Sequence, residues 1–218
     1  MSSDNFKLEL FSQFARIGKA LGNSYRLEII EFLAQGERNV EELATLSGLS
    51  IANTSQHLQQ LKQTGLVIAT KKGQYVYYQL SNPKVIDLFA ILRDVAEQTL
   101  AEVNKLVDTF LTVKDDLEPI PAKELLERAR QGLVTVLDVR PVEEFNAGHL
   151  PQAINIPLKN LENIYHSLSK DKEIIAYCRG PYCILAYQAV AQLRDQGFSA
   201  YRLENGFPEW KQAGLPIE

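Results

Sequence analysis

The chain has few cysteines, and the two that it has, Cys178 and Cys183, lie close together in sequence. Such a pair cannot cross-link a whole secreted domain, so we expect reactive thiols in a reducing compartment. Long apolar runs are also lacking, since no stretch approaches the roughly 18 uncharged residues of a membrane span. The first ten residues carry Asp4 and Glu9, which is unlike a signal peptide. We therefore expect a cytoplasmic protein.

A strong charge of either sign is missing as well, because the formal net charge is -4 over 218 residues. Composition alone therefore gives no case for nucleic-acid binding, and such a case must come from local charge. Hydrophobic residues make up 45% of the chain, which is enough for packed cores. The length fits two domains of about 100 residues each.

The first half of the sequence has mainly helical periodicity, followed by a change to strand-forming residues. Ser24 and Ser50 stand where helix N-caps are expected. The predicted elements are helices at 6–21, 25–34, 40–47 and 51–63, a β-hairpin of 66–69 and 75–80 around the turn 71–74, and one long helix from 84 to about 112.

The second half alternates short apolar strands with helices, which predicts βα units on a parallel sheet. The predicted strands are 135–139, 153–156, 173–177 and 200–203, and the helices are 122–131, 158–168, 184–196 and 207–213. The polar, proline-ended segment 113–119 is the predicted linker. The sequence thus predicts a mainly α domain with a β-hairpin wing at 1–112 and an α/β domain at 120–218.

A helix, a glycine-containing turn and a second helix form the unit that places a helix in the DNA major groove. No Asp or Glu occurs between Leu43 and Ile86, so phosphates would meet no carboxylate there. An ordinary small helical domain is the alternative. We expect Leu58, Leu61 and Ile51 on the buried side of the second helix. The predicted DNA-binding residues are Ser50, Asn53, Thr54, Ser55, His57, Gln60, Lys62, Lys71, Lys72 and Gln74.

The segment 23–83 resembles the ArsR/SmtB family of winged helix-turn-helix regulators. The residues that carry the resemblance are Ser55, His57-Leu58, Leu61, Gly65-Leu66-Val67, Lys72-Gly73 and Tyr77-Tyr78. It implies a homodimer built from the first and last helices that reads a palindromic double-stranded DNA operator.

Many members of that family bind metals through cysteines before the turn or through histidines and acids in the last helix. Here 42–46 contains no cysteine and 84–112 contains no histidine. A transition metal would lack its preferred nitrogen and sulfur ligands. We predict no metal and no cofactor, so the sensor must be of another kind.

Cys178 follows the predicted strand 173–177, and a short loop leads from it into the helix that begins near Ile184. Ligands of open α/β sheets bind at the carboxyl ends of strands. The helix start, the loop amides and Arg179 would favour the thiolate, which is nucleophilic toward sulfane sulfur. The alternative is a buried structural cysteine.

Several motifs of this half together resemble the rhodanese fold. They are 138–145, 148–151, 153–157, 177–180, 206–210 and 214–216. The resemblance implies that Cys178 accepts sulfur as a persulfide, that Arg140 lines the pocket with the loop amides, and that Asp138 orders the strand end. His149 would close a turn. The predicted site is Cys178, Arg179, Gly180, Pro181, Tyr182, Cys183, Arg140 and Asp138.

Cys183 stands where thiosulfate-specific rhodanese loops often carry a basic residue. This makes a polysulfide, a low-molecular-weight persulfide or a protein persulfide the expected sulfur donor. Cys183 is either a partner for Cys178 in a disulfide or polysulfide bridge, or a small residue in the first helical turn.

These observations predict a repressor that responds to sulfane sulfur or redox state through Cys178. We expect the helix after Pro83 to transmit the change at Cys178 to the DNA-binding half. Two alternatives stay open. One is a rhodanese-type sulfurtransferase whose DNA-binding half only localises it. The other is a plain repressor with an inert second half.

Overall fold

A computed structural model describes residues 3–112 and 117–218. Contacts divide the chain into two compact units, Met1–Ala90 and Ile91–Glu218. The predicted linker, 113–119, falls largely outside the described residues, so the domain limits drawn from it stay predictions. No helix within the described ranges is long and apolar enough to cross a bilayer.

The first unit is a winged helix-turn-helix, as predicted. Its apolar core includes Ile29, Leu43, Leu58 and Leu61, which are fully buried. The wing, β2 (Val67–Lys72) with β3 (Tyr75–Leu80), is antiparallel, and the short strand β1 (Arg38–Asn39) extends the sheet in the order β1-β3-β2. The elements are α1 (Ser3–Leu21), α2 (Ser24–Gln35), β1 (Arg38–Asn39), α3 (Val40–Ser47), α4 (Ile51–Gln63), β2 (Val67–Lys72), β3 (Tyr75–Leu80) and the beginning of α5 (Lys84–Thr99).

Local hydrogen bonds fix the turn between α3 and α4. Gly48 ends α3 in the left-handed conformation (φ 67°), which glycine adopts at low cost. The Ser50 hydroxyl then accepts a hydrogen bond from the Asn53 amide at 3.2 Å, which confirms Ser50 as the cap of α4. The predicted Ser24 cap is wrong, because α2 begins one residue earlier and Asn23 accepts the bond from the Arg26 amide.

The predicted single helix from 84 to about 112 is also wrong. Helix α5 ends at Thr99, Leu100 is extended (φ -110°, ψ 104°), and α6 (Ala101–Val107) follows before a π-helical turn at Asp108–Thr112. The Asn104 amide group donates to the Glu97 carbonyl at 3.0 Å and satisfies an acceptor that the helix end exposes. Apolar residues recur on both sides of Leu100, so periodicity alone does not reveal this break.

The second unit is an α/β domain with a parallel sheet, which confirms the predicted class. Its strands, in spatial order, are β5 (Ile154–Asn155), β4 (Val134–Asp138), β6 (Glu173–Tyr177) and β7 (Ala200–Arg202). The segment predicted as helix 158–168 is a 3₁₀ run at Leu158–Ser167, and the short helix α8 (Val142–Asn146) was not predicted. The elements are α7 (Ala122–Arg130), β4 (Val134–Asp138), α8 (Val142–Asn146), β5 (Ile154–Asn155), β6 (Glu173–Tyr177), α9 (Ile184–Asp195), β7 (Ala200–Arg202) and α10 (Phe207–Gln212).

Alternation along β4 and β6 divides the side chains of this sheet between two apolar clusters. Val136 and Tyr177 pack in the cluster of Trp210, whereas Leu137 packs with Val190 of α9. Cys178, one position after Tyr177, therefore lies on the α9 side, in the same cluster as Val190. This places its sulfur at the carboxyl edge of the sheet, beside the start of α9.

Candidate sulfur site and DNA-facing surface

The two cysteines form a disulfide that closes the loop between β6 and α9. Cys178 is 2% exposed, Cys183 is the N-cap of α9, and their Cα atoms are 6.0 Å apart. The Cys183 amide donates to the Gly180 carbonyl at 3.1 Å and makes a turn inside the loop. Both sulfur atoms are therefore within bonding reach of each other in the folded chain.

The Arg179 side chain pairs with a buried carboxylate that sequence reasoning did not assign. Its guanidinium donates to Glu144 of α8, with an Nη2–Oε1 distance of 2.8 Å, and Glu144 is fully buried. The expected support of the thiolate by Arg179 is thus offset by a nearby negative charge. Glu144 lies inside the motif 138–145, and this position is the one feature of the sequence that could have identified it as a site residue.

Backbone and tyrosine contacts hold the loop from outside. The Tyr187 hydroxyl donates to the Pro181 carbonyl, and the Phe207 amide donates to the Cys178 carbonyl, each at 3.1 Å. A Cβ atom at Gly206 would collide with the backbone of the Arg179–Gly180 peptide. Gly206 thereby allows the segment before α10 to lie directly against the loop.

Tyr182 of the cysteine loop contacts α5 within the second unit. Its hydroxyl donates to the Glu97 carboxylate, and the Arg93 guanidinium lies 5.9 Å from the centroid of its ring. Arg93 also pairs with Glu209 of α10 at 3.1 Å. The cysteine loop and the second half of α5 are therefore in direct polar contact.

A buried polar network lies beneath the strand end. Asp138, Arg140 and Tyr177 are fully buried. Arg140 Nη2 donates to Asp138 Oδ2 at 2.6 Å and to the Gly148 carbonyl at 2.8 Å, and the Tyr177 hydroxyl donates to the same carboxylate. Asp138 on β4 is paired in register with Tyr177 on β6, so this carboxylate links the two central strands directly before Cys178.

Burial sets the protonation of this network. Burial and the charge of Asp138 raise the pKa of Tyr177 well above its ordinary value, so the phenol stays a donor. Burial alone would lower the pKa of Arg140, but the hydrogen bond and charge of Asp138 outweigh it and raise the pKa. Because Arg140 is enclosed in the core, it does not stand on an open pocket wall, which corrects its expected role there.

A cleft of about 650 Å³ opens at this edge of the sheet. Val139 and Pro141, which follow β4, line one side, and Pro157 and Leu158 line another. Leu185, in the first turn of α9, is also a lining residue, whereas residues 178–183 of the cysteine loop are not. His149 lies elsewhere, with its Nδ1 atom 3.0 Å from the Phe145 carbonyl oxygen, in the turn-closing position.

Helix α4 and the wing present most of the predicted DNA-binding residues to solvent. Leu58 and Leu61 are buried as predicted, but Ile51 is 53% exposed, contrary to expectation. Thr54 is a correction to the DNA-binding set, because it is fully buried and its hydroxyl donates to the Ser50 carbonyl at 3.0 Å. The exposed members are Ser50, Asn53, Gln60, Lys62, Lys71, Lys72 and Gln74, while Ser55 and His57 are half-buried.

The side chain of Arg26 on α2 connects α4 to α1 by hydrogen bonds and so positions the DNA-facing surface, a role that the sequence did not reveal. Its Nη1 donates to the Gln60 side chain at 2.6 Å and its Nη2 to the Lys19 carbonyl at 2.9 Å. Burial and the charge of Arg26 lower the pKa of His57, so its imidazole is neutral at neutral pH. The sequence feature that could have identified this role is Arg26 itself, which shares a face of α2 with the apolar residues Ile29, Ile30 and Leu33.

The two lysines of the wing differ in their surroundings. Lys72 forms an ion pair with Glu37, a carboxylate that precedes the acid-free segment in the sequence. An exposed pair of this kind contributes only about 0–1 kcal/mol, so DNA phosphates can compete for the lysine. Lys71, its exposed neighbour on β2, lies opposite Val76 in the hairpin.

Comparison with known proteins gives matches over both halves. The model of the bacterial regulatory protein arsR family matches residues 23–69, and that of the rhodanese-like domain matches 121–213. The HTH-type transcriptional regulator Rv0324 of Mycobacterium tuberculosis is 45% identical over 97% of this chain and 93% of its own length. A sulfurtransferase of Allochromatium vinosum is 32% identical over 38% of this chain and 78% of its own.

A solved structure is also similar to the first half. The homodimeric winged helix-turn-helix DNA-binding domain of Mb0332 from Mycobacterium bovis is 44% identical, with a TM-score of 0.42, over 46% of this chain and 91% of that one. The fold, the two family models and the similarity to Rv0324 define a DNA-binding regulator with a second, rhodanese-like domain. The chain belongs to the ArsR family of transcriptional regulators.

Within the described ranges, no group of three or more His, Cys, Asp or Glu side chains is arranged to hold a metal ion.

Replacing Asp138 by Ala should lower the free energy of unfolding of the second unit by about 3–5 kcal/mol, because Arg140 would be left buried without its partner. The single tryptophan, Trp210, is buried in this unit, so its fluorescence during denaturant unfolding reports on it selectively. Asp171→Ala, at an exposed position, is the matched control and should change stability by less than about 0.5 kcal/mol. Equal midpoints for the two variants would contradict the proposed importance of the network.

Proposed function

We propose that this ArsR-family regulator represses transcription and releases its operator DNA when Cys178 takes up sulfane sulfur or is oxidised. The observation that carries the proposal is the loop at the carboxyl edge of the sheet, where Cys178 is joined to Cys183 beside the start of α9. With the disulfide reduced, the loop amides and the start of α9 favour a Cys178 thiolate, which is the nucleophile toward electrophilic sulfur. The donor is a polysulfide, a low-molecular-weight persulfide or a protein persulfide.

Contacts of α5 support a path for the signal. Helix α5 begins in the winged-helix unit at Lys84, and its Glu97 accepts a hydrogen bond from Tyr182 in the cysteine loop. A change of covalent state at Cys178 alters the loop that presents this tyrosine. For release, the modified form must favour a state of the protein that binds DNA less tightly.

Apolar surface on two helices supports a homodimer as the DNA-binding form. Isolated exposed apolar residues are common, but a contiguous series on one helix usually marks an interface. The second copy is the expected partner, because the similar Mycobacterium bovis domain is described as homodimeric. The exposed residues are Phe6, Leu10, Phe11 and Phe14 on α1 and Leu88, Ile91, Leu92 and Val95 on α5.

A second candidate function is sulfurtransferase activity without signalling. The cleft lined by Val139 and Leu185 is large enough for an organic sulfur donor or acceptor, and one of the similar proteins is named a sulfurtransferase. Steady turnover of a persulfide donor with cyanide as acceptor, unaffected by operator DNA, would favour this function over the first.

Replacing Lys71 by Gln should weaken DNA binding about equally for all sequences and reduce the slope of log affinity against log salt by about 1, because one phosphate contact is lost. Fluorescence anisotropy with labelled DNA over a salt series measures both quantities. Lys172→Gln, an equal charge change at an exposed site of the second unit, is the control. An unchanged slope for Lys71→Gln would remove the wing from the proposed interface.

Treating the reduced native protein with glutathione persulfide should lower its affinity for the DNA upstream of its own gene about 5- to 150-fold, the usual range of coupling between two sites. The Cys178→Ser variant should bind this DNA normally and keep its affinity after treatment. A mobility-shift assay with and without donor checks both. If the variant loses affinity as the native protein does, Cys178 is not the sensor.

Replacing Glu97 by Gln should leave sulfur uptake at Cys178 unchanged but shrink the donor-induced loss of DNA affinity by about 2- to 30-fold, because the charge-assisted bond to Tyr182 becomes a neutral one. Glu102→Gln, an exposed position on α6, is the matched control. Uptake is followed by intact-mass spectrometry and affinity by anisotropy. If the Glu97→Gln protein lost as much DNA affinity after donor treatment as the native protein does, the signal would not pass through this contact.

A further inference from the structure

We propose that Cys183 is the resolving residue of the site: it displaces the transferred sulfur from Cys178 as hydrosulfide and leaves the Cys178–Cys183 disulfide. This inference deepens the proposed function and rests on it, because it requires that Cys178 first takes up sulfane sulfur. It assigns to Cys183 a chemical role that differs from that of a small residue in the first helical turn.

The reach of Cys183 is the first argument. The Cα atoms of the two cysteines are 6.0 Å apart, which is within the usual range of about 4.4–6.8 Å for bonded cysteines. The loop adopts the bonded arrangement with its turn hydrogen bond from Cys183 to Gly180 and its anchor from Phe207 to Cys178 both present. The attack therefore needs no unfolding of β6 or α9.

The surroundings of Cys178 give the second argument. Cys178 is 2% exposed and belongs to the apolar cluster that includes Val139 and Ala186, against which Cys183 also packs. A persulfide anion retained there would be a nearly buried charge, which is costly unless it is compensated. The cation of the loop, Arg179, already pairs with Glu144, so only the loop amides and the start of α9 are left to compensate that charge. Conversion to an uncharged disulfide removes that cost.

The step balances without a further oxidant. The sulfane donor gives one sulfur atom to the Cys178 thiolate and leaves as its reduced thiol. The Cys183 thiolate then attacks Cys178 Sγ, the bond between Sγ and the outer sulfur breaks, and the outer sulfur leaves with the electron pair as hydrosulfide. The proton lost by Cys183 goes to the departing outer sulfur, which is why it leaves as hydrosulfide and not as the sulfide dianion. The two cysteines are oxidised to the disulfide, and the sulfane sulfur is reduced to hydrosulfide.

Attack at the inner sulfur is the favoured course. The leaving group is then hydrosulfide, which is less basic than a cysteine thiolate and leaves faster. Each subunit would accordingly convert one sulfane sulfur into one hydrosulfide and then stop until a dithiol reduces it. The site would thus retain an oxidised loop as the signal and would not store the sulfur.

The test treats reduced full-length protein, without oxygen, with one equivalent of glutathione persulfide per subunit. Intact-mass spectrometry and a sulfide electrode follow the native chain, Cys183→Ser, Cys183→Ala and Cys178→Ser. The native chain should become two hydrogen atoms lighter and release one hydrosulfide per subunit above the Cys178→Ser baseline. Both Cys183 variants should become one sulfur atom heavier and release no hydrosulfide above that baseline.

Other results overturn the inference in distinguishable ways. If the native chain keeps the added sulfur as the Cys183 variants do, or holds it as a bridge between the cysteines, Cys183 does not resolve the persulfide, although uptake at Cys178 stands. If neither the native chain nor the Cys183 variants gain or lose mass, the proposed function fails as well. Trp210 fluorescence of each variant establishes that the second unit is folded.

Discussion

The carboxylate of Asp138 is the constraint on which the rest of the second unit depends. It lies at the end of β4, fully buried, and holds the Arg140 guanidinium and the Tyr177 hydroxyl at once. Tyr177 is the last residue of β6, so the same carboxylate fixes the point from which the cysteine loop departs. A buried charge of this kind is tolerated only when its partners are complete, and here they define a single geometry.

The loop above this network combines rigid anchors with one reactive bond. Gly206 and Phe207 hold its base, Tyr187 holds Pro181, and Tyr182 reaches Glu97 on α5. The ends of the loop are fixed. Making or breaking the bond between the cysteines therefore changes the conformation of the residues between them, which include Tyr182. In this view the chemistry at Cys178 and the contact with α5 are parts of the same small structure.

Much of the fold could be predicted from the sequence, because periodicity and turn residues carry it. The Ser50 cap, the hairpin and the parallel strands follow from local patterns. The break at Leu100 could not be predicted, since apolar residues continue across it and the side chain of Asn104 replaces the missing backbone bond. In the site, the position of Cys178 could be inferred, but its neighbours could not. The pairing of Arg179 with Glu144 joins residues that are far apart in sequence.

The most direct test of the central claim is operator affinity measured against the redox state of the loop in one and the same protein. The native chain is equilibrated in a series of dithiol buffers, the fraction with the Cys178–Cys183 disulfide is determined by mass spectrometry, and DNA binding is measured in each sample. A cysteine switch predicts that affinity falls in step with the disulfide fraction. Constant affinity from the fully reduced to the fully oxidised protein would contradict it.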